Sequence, residues 1–381
     1  MPYKSNLLFL NENLKKQRGA AFLILVMMLA IAAVSFIVIA APGESNQLAA
    51  AQKTAQALAA ARDALIGFAA SVPDSDRPGD LPCPATSYAT GDAGSSCDTA
   101  ASRIGYLPWR KLGLPDLRDG SGAPLLYAVS NGFKNNTRTG ILNSDTAGDF
   151  TVAGENAIAI VFAPGSPIGS QDRNAGTFNV SNFLELGNAD GDSVFVNSDG
   201  TATFNDRLMW ITPRAFFPPL EMRAMRVAQA RLQHYFSITG RYPRSNRYLN
   251  DYSCWTFGGR LPFPVGGNPC LPGGNGATAS QWTMAWPAWF FGNYWDYVIH
   301  YAVAERCTTT SGAVCDGSGS FLTVDGTDNY RVLLIRQGTP NGQTRPCSSP
   351  SQCLDDGENR DSDRDYVTPV AGNDRLTIVS P

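Results

Sequence analysis

Oxygen-bearing side chains crowd two short stretches, Asn188, Asp190 and Asp192 in one and Glu358, Asn359, Asp361, Asp363 and Asp365 in the other. Carboxylate and amide oxygens at alternate positions of a turn can converge on one hard cation at about 2.3 to 2.6 Å, the distance that calcium takes. Calcium is the one cofactor suggested. Neither stretch follows the EF-hand pattern, and Arg360 and Arg364 could neutralise the second stretch without metal. A solvated, Asx-rich turn would produce the same letters.

Eight cysteines form a second set: Cys83, Cys97, Cys254, Cys270, Cys307, Cys315, Cys347 and Cys353. An even count suits disulfides in an oxidising compartment. Sequential pairing would close four short loops rich in Gly, Pro and Ser, although eight cysteines allow about 105 connectivities. Zinc is disfavoured, because there is no CxxC and the only histidines are His234 and His300.

GxSxG, HExxH and Walker sequences are missing, which points away from an enzyme. A carboxylate-pair glycosidase needs no motif and stays open. Two Asn-Asp-Arg triplets, Asn205 to Arg207 and Asn373 to Arg375, each precede an apolar run and are expected to brace turns. Trp282, Trp286, Trp289, Phe290, Phe291, Tyr294, Trp295 and Tyr297 cluster closely. They are read as core packing, or else as an exposed face for a partner subunit, a secreted substrate or a glycan.

These residues must be positioned by a chain of 381 residues with net charge −3, 43% hydrophobic and 17% charged. Such a composition excludes charge-driven disorder and gives no basic footprint for nucleic acid. From Ala20 to Ala41 no charged residue occurs, and a helix of that length would span about 30 Å, the thickness of a bilayer core. Lys4, Lys15, Lys16 and Arg18 precede it against Glu12, which would keep the N-terminus in the cytoplasm. Helix-forming residues resume beyond Pro42 and Gly43, so a long kinked helix to about Ala70 is expected rather than a cleaved signal peptide.

Lys15-Lys16-Gln17-Arg18-Gly19 followed by an apolar stretch resembles the leader of type IV pilins and type II secretion pseudopilins. The resemblance implies cleavage by a prepilin peptidase after Gly19 and methylation of Ala20. It further implies an extended helix with a proline, here Pro42, and calcium held in a C-terminal loop of the head. Family members usually carry glutamate five residues after the cut, where this chain has Ile24. Tip-type minor pseudopilins also lack it, so the resemblance points to a minor, initiating or tip-like subunit. Val227 to Phe236 followed by Gly240-Arg241-Tyr242-Pro243 is similar to the end of a pilin helix and its first loop.

Motifs recur in the same order at a spacing of about 170 residues. Ala60-Ala61-Arg62 matches Ala230-Arg231, Tyr127 matches Tyr301, Gly165 matches Gly338, and Asn205-Asp206-Arg207 matches Asn373-Asp374-Arg375. The expected fold is therefore α+β, with a long N-terminal transmembrane helix followed by two pilin-like heads, each a helix packed on a small antiparallel sheet. The expected divisions are a leader at 1–19, a transmembrane helix at 20–41, and heads at 42–213 and 214–381. The expected location is the bacterial inner membrane, single pass, N-terminus inside, with periplasmic heads. Expected partners are other pilin or pseudopilin subunits, the prepilin peptidase, the membrane, and a secreted substrate or surface receptor. The function expected is assembly into, or initiation or capping of, a type IV pilus or type II secretion filament. The alternative is an adhesin-like binding protein on a pilin-type anchor.

Overall fold

The computed structural model describes residues 42–174, 177–198, 200–248, 254–255, 258–262, 284–308, 315, 321–361 and 363–380. The chain divides into two compact units, Met1–Gln56 and Ala57–Pro381. In the first unit the described residues are the opening turns of α1 (Pro42–Ser71), where Leu48 is exposed. All else described below lies in the second unit.

Alanine-rich sequence favours the helix α1, and Pro73 stops it just after Ser71. Its buried edge, Ala57, Ala61, Leu65 and Ala69, follows a four-residue spacing. The expected membrane-spanning helix and the single-pass inner-membrane placement built on it are corrected here. Among the described residues no helix is long and apolar enough to cross a membrane. The physical reason is visible in α1, which begins at Pro42 and carries Lys53, Arg62 and Asp63. The stretch 20–41, like the processing positions Gly19 and Ala20, lies outside the described residues.

The fold is α+β with several sheets rather than one per head. The first sheet runs β1 (Ile104–Tyr106), β2 (Leu126–Val129), β5 (Ala159–Ala163), β7 (Arg207–Ile211), all antiparallel. A small mixed sheet beside it has β3 (Phe150–Val152) between β4 (Glu155–Ala157) and β6 (Val194–Phe195), antiparallel to the former and parallel to the latter. After the four-residue α2 (Pro213–Phe216) and α3 (Pro218–Thr239) the same order returns. β10 (Gly258–Arg260), β11 (Ile299–Val303), β14 (Val332–Arg336) and β16 (Arg375–Ser380) are neighbours in one sheet, extended by β8 (Ser245–Asn246) and β9 (Cys254–Trp255). β12 (Leu322–Val324) pairs antiparallel with β13 (Thr327–Tyr330) and parallel with β15 (Asp365–Tyr366), as β3 does with β4 and β6.

Strands β2 and β5 are buried along their whole length because both faces are covered. Tyr127, Val129, Ala159 and Val161 face the helices, while Leu126, Ala128, Ile160 and Phe162 meet Phe150, Phe183 and Phe195 around the small sheet. The larger of these apolar side chains, Leu126, Val129, Ile160, Val161 and Phe162, each contribute about 1.5 to 3 kcal/mol on burial. In α3, Leu220, Ala224, Ala228, Leu232 and Tyr235 make the buried stripe, and Pro218 sits in the first turn where no N–H is needed. The helix ends at Gly240, whose φ of 68° suits a left-handed cap and whose N–H donates to Phe236 O at 2.8 Å.

The two halves share one core that runs from Leu65 and Tyr127 through Phe216 and Leu220 to Trp295 and Leu334. The aromatic segment serves this joint. On α4 (Ala288–Gly292), Trp289 donates Nε1–H to Asp74 at 3.0 Å, and Arg223 of α3 donates to the same oxygen at 2.6 Å while stacking over the Trp289 ring. Trp289, Phe290, Phe291 and Trp295 are buried, Tyr294 is about half exposed, and Trp282 lies outside the described residues.

Candidate functional site

The two acidic turns have one geometry, built twice. Asn188 is buried, donates Nδ2–H to Val196 O at 3.2 Å and accepts Val196 N–H at Oδ1 at 2.7 Å. Asn359 does the same with Val367 at 3.0 and 2.9 Å. Asp190 accepts Asp192 N–H at 3.1 Å and Asp192 accepts Val194 N–H at 2.6 Å; Asp361 accepts Asp363 N–H at 3.2 Å and Asp363 accepts Asp365 N–H at 2.7 Å. The alternate oxygens therefore serve successive backbone N–H groups, as in Asx turns. Glu358 opens a short 3-10 turn and Asp365 enters β15. Among the described residues no three acidic, histidine or cysteine side chains are grouped so as to hold a metal ion.

Behind each turn stands a buried carboxylate. Asp206 is fully buried, and its Oδ2 accepts Glu185 N–H at 3.0 Å and an Asn188 amide hydrogen at 3.1 Å. Asp374, also fully buried, accepts the N–H groups of Asp355 and Asp356 at Oδ2. Burial pushes Asp206 up to about 7, helped by the neighbouring Glu185 carboxylate, and Asp374 up to about 6. The next carboxylates are matched as well. Glu185 accepts Gln171 Nε2–H and Asn205 N–H, and Asp355 accepts Gln343 Nε2–H and Asn373 N–H.

Asn205 and Asn373 then reach across to Ser166 O and Thr339 O, each at 2.8 Å. These contacts require glycine opposite them. Gly165 and Gly338 have φ of 66° and 64°, and a Cβ there would fall 2.8 Å from the Asn205 side chain and 2.4 Å from that of Asn373. Arg173 and Arg345 bind the same two turns through their carbonyls. The third members of the triplets, Arg207 and Arg375, donate to Ser198 O and Gly372 O. Sequence reasoning singled out the Asn-Asp-Arg triplets but missed Gln171, Arg173, Gln343 and Arg345. The signal was present, since Gln-x-Arg recurs at the spacing of the other motifs.

Disulfides join Cys83 to Cys97, Cys307 to Cys315 and Cys347 to Cys353. Cys254 is also disulfide-bonded, and Cys270 lies outside the described residues. His300 is buried between the Tyr248 and Tyr366 hydroxyls, and burial pulls it down to about 3, so it is neutral. A cleft of about 810 Å³ runs between the halves, lined by Asp145, Glu155, Arg214, Asn341 and Asn373 among others.

No family model, no curated protein and no solved structure matches this chain. The geometry just described is consequently what bears on function. Its buried carboxylates hold turns in place, and both acidic turns are exposed at Asp190 and Asp361 while anchored beneath by Asn188 and Asn359.

Proposed function

We propose that this protein is a structural subunit, a minor and tip-like member of a pilin or pseudopilin type of filament, which acts by assembly and contact. One observation carries the reading. The order of parts is a basic stretch ending in Gly19, an uncharged run, and the helix α1, whose buried edge packs on an antiparallel sheet. Ile24, where the resembled family usually carries glutamate, supports a position without a neighbour above it, because no carboxylate is present to pair with a terminal amine. The repeated strand order supports reading the halves as copies of one module, which makes the head bulky for a shaft and suited to an end.

Shearing filaments from cells and probing them for this chain tests the reading. Recovery with the filaments at a few copies per filament, and loss of filaments on deletion of the gene, are the expected results. Absence from the sheared fraction with filaments unchanged after deletion would contradict it.

A further inference from the structure

Two arginines stand opposite each other across a strand pair, and a third joins them. In the β14–β16 register Arg336 lies directly opposite Arg375, so both side chains leave the same face of the sheet. Like charges placed in this way repel. The first half avoids the conflict, because Arg207 of β7 lies opposite Ala163 of β5. Arg214 of α2 meets Arg336 and Arg375 in the wall of a pocket of about 120 Å³, where Gly338, Thr339 and Gly372 also line the space.

Charge compensation in the pocket is partial. Glu221 of α3 is the one carboxylate among its described lining residues; it is buried and accepts from Arg336 Nη1. Arg375 Nη1 donates to the Gly372 and Asp374 carbonyls, which hold the side chain but carry no formal charge. Among the described residues neither Arg214 nor Arg375 forms an ion pair. Three guanidinium groups, carried by α2, β14 and β16, therefore converge on a space that contains one carboxylate. The like-charge convergence itself makes this pocket a site of positive potential that an anion relieves.

The pocket adjoins the cleft of about 810 Å³, since Arg214, Thr339 and Asn373 stand in the walls of both. Hydroxyl and amide side chains dominate the rest of that cleft, among them Ser144, Thr146, Asn156, Thr212 and Asn341. Such groups donate to and accept from sugar hydroxyls. The two carboxylates of the cleft are already engaged, Asp145 by Arg345 at 2.7 Å and Glu155 by Trp210 Nε1–H at 3.0 Å.

We propose that the pocket binds a phosphate or sulfate group and that the adjoining cleft takes the saccharide carrying it. The planar guanidinium groups give charge-assisted hydrogen bonds to the oxyanion, and Glu221 holds Arg336 in position for it. The inference does not depend on the assembly reading.

Isothermal titration of the full chain at low salt with glucose 6-phosphate, glucose 6-sulfate, inorganic phosphate and glucose tests it. Saturable binding of at least one ester is expected, about tenfold or more tighter than inorganic phosphate, with no saturation by glucose and with affinity falling as salt rises. The ester that binds more tightly identifies the oxyanion. Arg214→Gln and Arg375→Gln are each expected to weaken binding about tenfold; both residues are exposed, and circular dichroism checks that each variant is folded. Asn341→Ala, in the cleft and outside the pocket, is expected to weaken the ester and leave inorganic phosphate unchanged. Absence of saturation by both esters, binding no tighter than that of inorganic phosphate, or unchanged binding by both arginine variants would overturn the proposal. So would tighter binding of a single-stranded oligonucleotide at equal phosphate concentration.

Discussion

Asp145 and Arg345 lie 2.7 Å apart across the two halves, with the arginine side chain 3% exposed and the aspartate 21% exposed. The pair closes a joint that also contains the Asp74, Arg223 and Trp289 contacts. Removing one partner leaves the other charge buried. Asp145→Ala is expected to cost about 3 kcal/mol, read as a lower urea midpoint. Asp92→Ala, which breaks an exposed pair with Arg110, is expected to change stability by less than about 0.5 kcal/mol.

The buried carboxylates set a pH dependence. Asp206 and Asp374 titrate near 7 and 6 in the folded chain, raised by burial from 3.8. Between about pH 4 and 7 the folded state therefore holds more protons than the unfolded state, and this contribution to stability declines as pH rises. Asp206→Asn removes the Asp206 part. The variant should gain on the wild type by at most about 1.4 kcal/mol per pH unit across that window, measured by urea unfolding at several pH values. A difference that does not vary with pH would contradict the burial argument.

Glycine is demanded where the turns meet the asparagines. Gly338→Ala combines a φ of 64° with a clash against Asn373 and should lose more than about 1 kcal/mol. Gly113→Ala, at a φ of 70° with open space around it, should lose less, and thermal unfolding of the two variants gives the ranking.

The Cys83–Cys97 bridge closes a loop of sequence separation 14. Replacing both cysteines by serine should lower stability by about 3 kcal/mol, seen in the denaturation midpoint under non-reducing conditions.

Much of the fold is legible in the sequence because apolar runs and breakers act locally. The runs LLYAV, IAIVF, RVLLI and RLTIV become β2, β5, β14 and β16, and Gly240 ends α3 as its neighbours suggest. The acidic turns show where local reading stops. Alternate oxygens look the same whether they face water, a cation or their own backbone, and only the fold shows Asn188 and Asn359 buried against Val196 and Val367. The aromatic segment is likewise ambiguous until Asp74, distant in sequence, arrives beside Trp289. The expectation of a membrane-spanning helix came from residues 20–41 and the basic residues before them, whereas the described helix α1 starts at Pro42 and carries charge.

The central claim, a filament subunit processed from a basic leader, is tested most directly by mass spectrometry of the mature N-terminus. A chain beginning at Ala20 and carrying one methyl group on its amine is the expected result. A chain beginning beyond Gly43, or an intact leader on the filament-associated protein, would contradict it.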